Sequence, residues 1–115
     1  VDIIELVAEA LEPLNLDVLY GWYDKNLNDT HITYLEFDNS EGEFADDEST
    51  TEEHYITVDL WTKDSSEVTE LKKEIKKLLK LGGFFYQDGA DQTETETDGS
   101  TLYHITSRWL YEENL

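Results

Sequence analysis

The sequence predicts an α+β fold: an antiparallel or mixed sheet of four to five strands packed by two helices, in the order α-β-β-β-α-β-β. Three observations lead there. Residues 2–12 and 64–82 repeat apolar side chains at helical spacing. Five other segments are rich in β-branched and aromatic residues. The chain has 115 residues, room for one hydrophobic core and therefore a single domain, 1–115.

The elements follow in order. Ile3, Ile4, Leu6, Val7, Ala10 and Leu11 form the first helical stripe, and Pro13 stops it. Residues 17–23 (DVLYGWY) and 31–38 (HITYLEFD) read as strands joined by a polar loop. Next comes an acidic stretch, Ser40 to Glu53, whose one large apolar residue is Phe44. It reads as a long loop, and a loop of about 14 residues is usually functional or disordered. Residues 54–63 (HYITVDLWTK) are the clearest strand. Ile56, Val58 and Leu60 mark one face, and Tyr55, Thr57, Asp59 and Trp61 mark the other. These first three strands are expected to form an antiparallel meander.

The second helix opens at Asp64 with capping-box spacing to Glu67. Its buried stripe is Val68, Leu71, Ile75, Leu78 and Leu79, and Gly82 is the expected C-cap. Residues 84–87 form a short strand, Asp88 to Ser100 a polar loop, and 101–111 the last strand.

Charge sets this chain apart. It carries 28 acidic and 8 basic residues, for a net charge of -20. Such a surface repels phosphate backbones and anionic leaflets, which argues against nucleic-acid and membrane binding. Five of the eight bases, Lys72, Lys73, Lys76, Lys77 and Lys80, share one helix, so one basic face is expected on an otherwise negative molecule. The absence of Cys removes disulfides and thiolate chemistry. No apolar run approaches the length of a membrane span, and the opening residues lack a signal-peptide pattern. A start at Val1 rather than Met points to a removed residue or segment.

No motif carries chemistry. Asp24–Asp29 has alternating oxygen side chains like a calcium loop, but lacks the Gly and Glu that an EF-hand needs at its sixth and twelfth positions. His31, His54 and His104 make no ligand-spaced pair, although His54 and His104 would approach each other if their strands paired. No nucleophile elbow, phosphate loop or Walker pattern is present. The chain therefore reads as a non-enzyme with no cofactor and no metal. The aromatics read as core, except Trp61, which on the polar face of its strand is the leading interface candidate. Arg108, the only Arg, is expected to pair with a nearby carboxylate.

The order of pieces carries a resemblance. A helix precedes YGWYDKNLNDTHITYLEFD; EGEFADDEST follows, then HYITVDLWTKDS entering a lysine-rich helix, then GGFFYQ and YHITSRWLY. Across nearly its whole length the chain resembles the small tail terminator, or tail completion, proteins of long-tailed phages and of prophages in Gram-positive bacteria. The resemblance implies a structural virion subunit at the head-proximal end of the tail, assembled in the host cytoplasm. Such a subunit forms a ring, typically a hexamer, that caps the tail tube and joins it to the head-completion or connector protein. DNA passes through the ring without specific binding.

The interaction residues expected on this reading are Glu41, Glu43, Phe44, Asp46, Asp47, Glu48, Trp61, Lys72 and Lys76. Segment 40–53 is expected to lack order in a free subunit. In the ring it would order with Phe44 as its apolar anchor and its carboxylates against the lysine face of a neighbour. The alternative function is an acidic DNA mimic of anti-restriction type that binds a DNA-binding enzyme. A third reading takes the acidity as adaptation to high salt.

Overall fold

The computed structural model describes all residues except 22–28 and 46–47. Helix α1 (Ile3–Leu11) begins at Asp2, whose carboxylate accepts from the Glu5 amide at 3.1 Å. Pro13 falls in a short 3-10 turn that ends on Asn15 in the left-handed conformation. Strands β1 (Asp17–Tyr20), β2 (His31–Glu41), β3 (Phe44–Ala45), β4 (Glu48–Ser49) and β5 (Thr51–Thr62) precede α2 (Val68–Leu81). Strands β6 (Phe85–Thr95) and β7 (Thr101–Asn114) close the chain. Five strands make one mixed sheet in the order β1-β2-β5-β7-β6, and β3 and β4 pair separately. Among the described residues no helix is long and apolar enough to cross a membrane.

Both helices pack on one face of this sheet. Ile3, Val7 and Leu11 from α1 and Ile75 and Leu79 from α2 meet Ile32, Tyr34, Ile56, Val58, Leu60, Ile105 and Trp109. Register explains the list: Ile32, Leu60 and Ile105 lie side by side, as do Ile56 and Trp109, so alternate residues of three strands point at the helices. The two stripes are narrower than their sequence patterns. Ile4 is exposed, and Val68, Leu71 and Leu78 are half-buried around the sealed Ile75 and Leu79. Leu79→Ala is therefore expected to cost about 2–5 kcal/mol and Leu71→Ala less than half as much. Urea denaturation of both variants checks the order, and equal losses would contradict it.

Three expectations are corrected. The first three strands are not a full antiparallel meander, because β1 runs parallel to β2 and only β2 and β5 are antiparallel. The connection 21–30 is too long for a tight hairpin turn and so does not impose antiparallel pairing. Segment 40–53 is not a long loop. Strands β2 and β5 continue as a ladder through Ser40↔Glu53 and Glu41↔Glu52, and β3 and β4 finish the tip. Residues 88–95 likewise belong to β6, every residue of which is exposed. Both segments were read as loops because they lack apolar residues. A backbone ladder with both faces in solvent needs none.

At the end of α2 Gly82 is the C-cap, as expected, and the left-handed residue is Gly83, which follows it, at φ 93°. Phe84 N–H reaches Leu79 C=O at 3.0 Å and Gly83 N–H reaches Lys80 C=O at 3.1 Å, which is a Schellman ending. Phe84 then buries beside the helix it terminates. At the other end Asp64 accepts from the Ser66 amide, while Glu67 takes hydroxyls from Thr62 and Thr30 and does not reach back to the cap.

Candidate functional site

The molecule measures 58 × 25 × 21 Å, and its chemistry gathers at four places along that length. The first is the hairpin tip. Glu41, Glu43, Phe44 and Glu48 are all exposed there, and Phe44 is 62% exposed. Asp46 and Asp47 lie outside the described residues, as do Trp22, Tyr23 and all but Asp29 of the calcium-loop-like stretch. Short polar bonds shape the tip. The Glu43 amide donates to Thr51 Oγ1 at 2.8 Å, Thr50 Oγ1 donates to Glu43 C=O at 3.0 Å, and Ser49 Oγ donates to Thr51 C=O at 2.6 Å.

The second place is the root of the hairpin. A bulge in β2 between Glu36 and Asp38 puts Glu36 and Asn39 on the same face, either side of His54. His54 is 6% exposed. Its Nδ1 lies 2.8 Å from Glu36 and its Nε2 lies 3.0 Å from Glu113 on β7. Asn39 Nδ2 also approaches Nδ1, at 3.1 Å. Glu113 further accepts from the Val1 amino group at 2.9 Å. Burial pulls the His54 pKa down, but the hydrogen bonds to Glu113 and Glu36 outweigh it and the net direction is up. The imidazolium ties together carboxylates from β2 and β7 where the ladder places Glu41, Glu52 and Glu113 in one row of like charges. The ligand atoms of Glu52, His54 and Glu113 lie within 4.8 Å of one another, but both ring nitrogens already meet carboxylates, so a metal ion would enter only by displacing a proton and one of those bonds.

The third place is the sheet face away from the helices. His104 Nε2 donates to Asp59 at 2.6 Å, and Thr106 Oγ1 donates to the same carboxylate oxygen at 2.6 Å. His104 stacks on Trp61 with ring centroids 3.7 Å apart, and Trp61 Nε1 donates to Thr33 at 2.9 Å. The hydroxyls of Thr106 and Thr57 both donate to this carboxylate, so neither is an activated nucleophile. Trp61 is therefore not a surface interface residue. It is 6% exposed, sealed by an imidazole stack and its own hydrogen bond on a face that sequence alternation marks as polar. His54 and His104 do not approach each other either. Their strands pair, but the register sets His54 against Tyr111 and His104 against Trp61, on opposite faces of the sheet. On this same face Arg108 forms the expected ion pair, a fork onto Asp88 that holds the Asp88 carboxyl below the usual range.

The fourth place is a cavity of about 360 Å³ between α2 and the β6–β7 pair. It exists because Gly89 and Ser107 face each other on neighbouring strands beneath the helix. A second bulge, between Tyr86 and Asp88, brings Tyr86 to the helix side. Val58, Ile75 and Ile105 make the apolar walls. Lys72 and Lys76 stand over it: Lys72 pairs with Asp91 at 2.7 Å, and Lys76 Nζ sits 4.3 Å from the Tyr86 ring centroid. A side chain at position 89 would come within 2.7 Å of Tyr86 Oη and 2.9 Å of the Thr106 carbonyl, so Gly89 is what leaves Tyr86 room to fold back over the strand.

Of the expected interaction residues, the structure puts Glu41, Glu43, Phe44 and Glu48 together at the tip, Lys72 and Lys76 together at the cavity, and Trp61 inside. It does not bring tip and lysines together within one chain. Tyr86, Gly89 and the Glu36–His54–Glu113 group were not legible beforehand, since each depends on strand register or a bulge. The alternation of small residues at 89 and 107 is a signal only once those strands are known to pair. The sequence matches no protein-family model and no curated protein, so a functional reading has to stand on this geometry and on the residue pattern itself.

Proposed function

We propose that the chain is a structural subunit that assembles with copies of itself into a ring, typically a hexamer, capping a phage tail tube. It forms the joint between the tail tube protein and the head-completion protein, at the head-proximal end of the tail. The observation that carries this reading is the segregation of charge and shape. A negative hairpin with an exposed aromatic projects from one end, and the clustered lysines lie on the body beside an apolar cavity. Different patches on one surface that complement each other give head-to-tail contacts, and such contacts close into rings when the rotation permits. An excess of carboxylates on the rest of the surface suits a passage through which DNA slides without adhering.

Mass in solution together with negative-stain microscopy tests the proposal. The expected result is a closed ring with a central hole, formed alone or on purified tail tubes. A chain that stays monomeric on both counts would remove it.

The elongated shape favours a second reading, the DNA mimic. The body is 58 Å long, and exposed carboxylates lie along it at Asp38 and Glu41 on β2, Asp88, Asp91 and Glu94 on β6, and Glu112 on β7. A tight, salt-sensitive complex with a restriction enzyme or similar DNA-binding protein, in place of a ring, would select that reading.

A further inference from the structure

We propose that the cavity between α2 and β6 is the socket for Phe44 of a second copy of this chain. The inference rests on the ring reading above and names the contact that would build it. Three observations support it. Phe44 is a 62%-exposed aromatic at the end of the β2–β5 ladder, paired with Ser49, with Glu41, Glu43 and Glu48 around it. The cavity offers apolar walls in Val58, Ile75 and Ile105 and carries two ammonium groups, Lys72 and Lys76, at its mouth. An aromatic ring bordered by carboxylates therefore meets an apolar hole whose helix-side rim carries two cations against the single carboxylate of Asp91, which is complementarity in both shape and sign.

Geometry excludes the same chain as the donor. Val58 lines the cavity, and the strand leaves it toward Thr51, about 23 Å away, before the tip begins. The tip points along the long axis and cannot return, so the socket must receive another molecule's hairpin. Self-association through the neighbouring edge strand is opposed by charge. Strand β6 carries Asp88, Asp91 and Glu94 and no base, so two copies of it repel when paired directly. The docking is head to tail, with one tip and one socket per subunit, as a ring requires.

The contacts that Lys72 and Lys76 already make do not block the mouth. Lys72 and Asp91 are both substantially exposed, and an exposed pair of this kind exchanges partners at little cost. The Lys76 ammonium, resting on the Tyr86 ring, remains free to meet a carboxylate from above.

Two variants test the socket, each checked for an unchanged melting temperature. Phe44→Asp disables the tip and leaves the cavity. Lys72→Glu with Lys76→Glu disables the mouth and leaves the tip. Each alone should lose self-association by on the order of 30-fold or more. Mixed together they should form a one-to-one complex and nothing larger, because the one intact tip fits the one intact socket. The wild-type contact should weaken as salt rises.

Rings that persist in both variants would overturn the socket and leave the ring reading standing. Assembly lost in the lysine variant but kept in Phe44→Asp would show that some other segment fills the cavity, and would also overturn it. A wild-type chain that remains monomeric at millimolar concentration would overturn the ring reading and the socket together. Failure of the two variants to pair, with the wild type still assembling, would overturn the head-to-tail match.

Discussion

Trp109→Ala should destabilise the fold by about 3–5 kcal/mol, a large part of the 5–15 kcal/mol that holds a domain of this size. Trp109 is completely buried on β7, opposite Ile56 on β5 and Tyr86 on β6. It meets the Tyr86 ring edge-on with centroids 5.2 Å apart, and its indole N–H donates to Ser107 Oγ at 2.8 Å. Truncation removes the largest fully buried side chain, leaves a void between three strands, and frees Tyr86 from the contact that holds it beneath Lys76. Trp109→Phe keeps most of the volume and loses the hydrogen bond, so its cost should be less than half as large. Guanidinium denaturation of both variants measures this. A loss below about 1.5 kcal/mol for the alanine variant would mean that the sheet closes over the gap and is not held by this residue.

His54 should make the stability of the hairpin root fall as pH rises through neutrality. The sign follows from linkage. The folded-state pKa is raised above the unfolded value, so the folded state holds the proton more tightly. The stabilisation is fully present below the ordinary histidine pKa and is lost as pH climbs through the raised one. The groups that face the imidazole are Glu36 from β2, Glu52 from its own strand, Glu113 from β7, and the Val1 amino group through Glu113. Without the proton, these carboxylates are left with a ring that can donate to only one of them.

His54→Gln should flatten the melting temperature between about pH 6 and pH 7.5, leaving the fall above pH 8 that comes from the Val1 amino group, whose pKa Glu113 raises. His54→Ala, which strands buried acceptors beside a row of glutamates, should cost roughly 1–3 kcal/mol at pH 6. Hydrogen exchange of residues 38–41 and 51–54 should report the same change locally, with protection greater at pH 6 than at pH 7.5 after correction for intrinsic rates. A wild-type protein whose melting temperature does not move over that range, or moves identically in the glutamine variant, would contradict the clasp. A carboxylate pulled down at the same site does not reverse the sign, because Glu113, held low by the Val1 amino group and by His54, titrates well below this window.

These two residues show how legibility varied along the chain. Helices α1 and α2 could be read directly, because an amphipathic helix states its period in a few turns and its ends in caps. Asp2, Pro13, Asp64 and Gly82 all act near where their types predict. Strand β5 was legible for the same reason: Ile56, Val58 and Leu60 alternate and are buried. The acidic hairpin and strand β6 were not. Their side chains face water on both sides, so composition alone could not separate a solvated ladder from a loop.

The sequence by itself determined the α+β class, the two helical stripes, and the strong negative charge with its single basic helix. These follow from local periodicity and from counts, which do not depend on what lies across the sheet. Only the tertiary structure decided the rest. A one-residue difference in register moves a side chain to the opposite face, so the enclosure of Trp61, the separation of His54 from His104 and the company of Glu36 around His54 depended on pairing and on two bulges. The cavity under α2 depended further on two small residues, Gly89 and Ser107, from strands paired across the sheet, an adjacency that no linear pattern records.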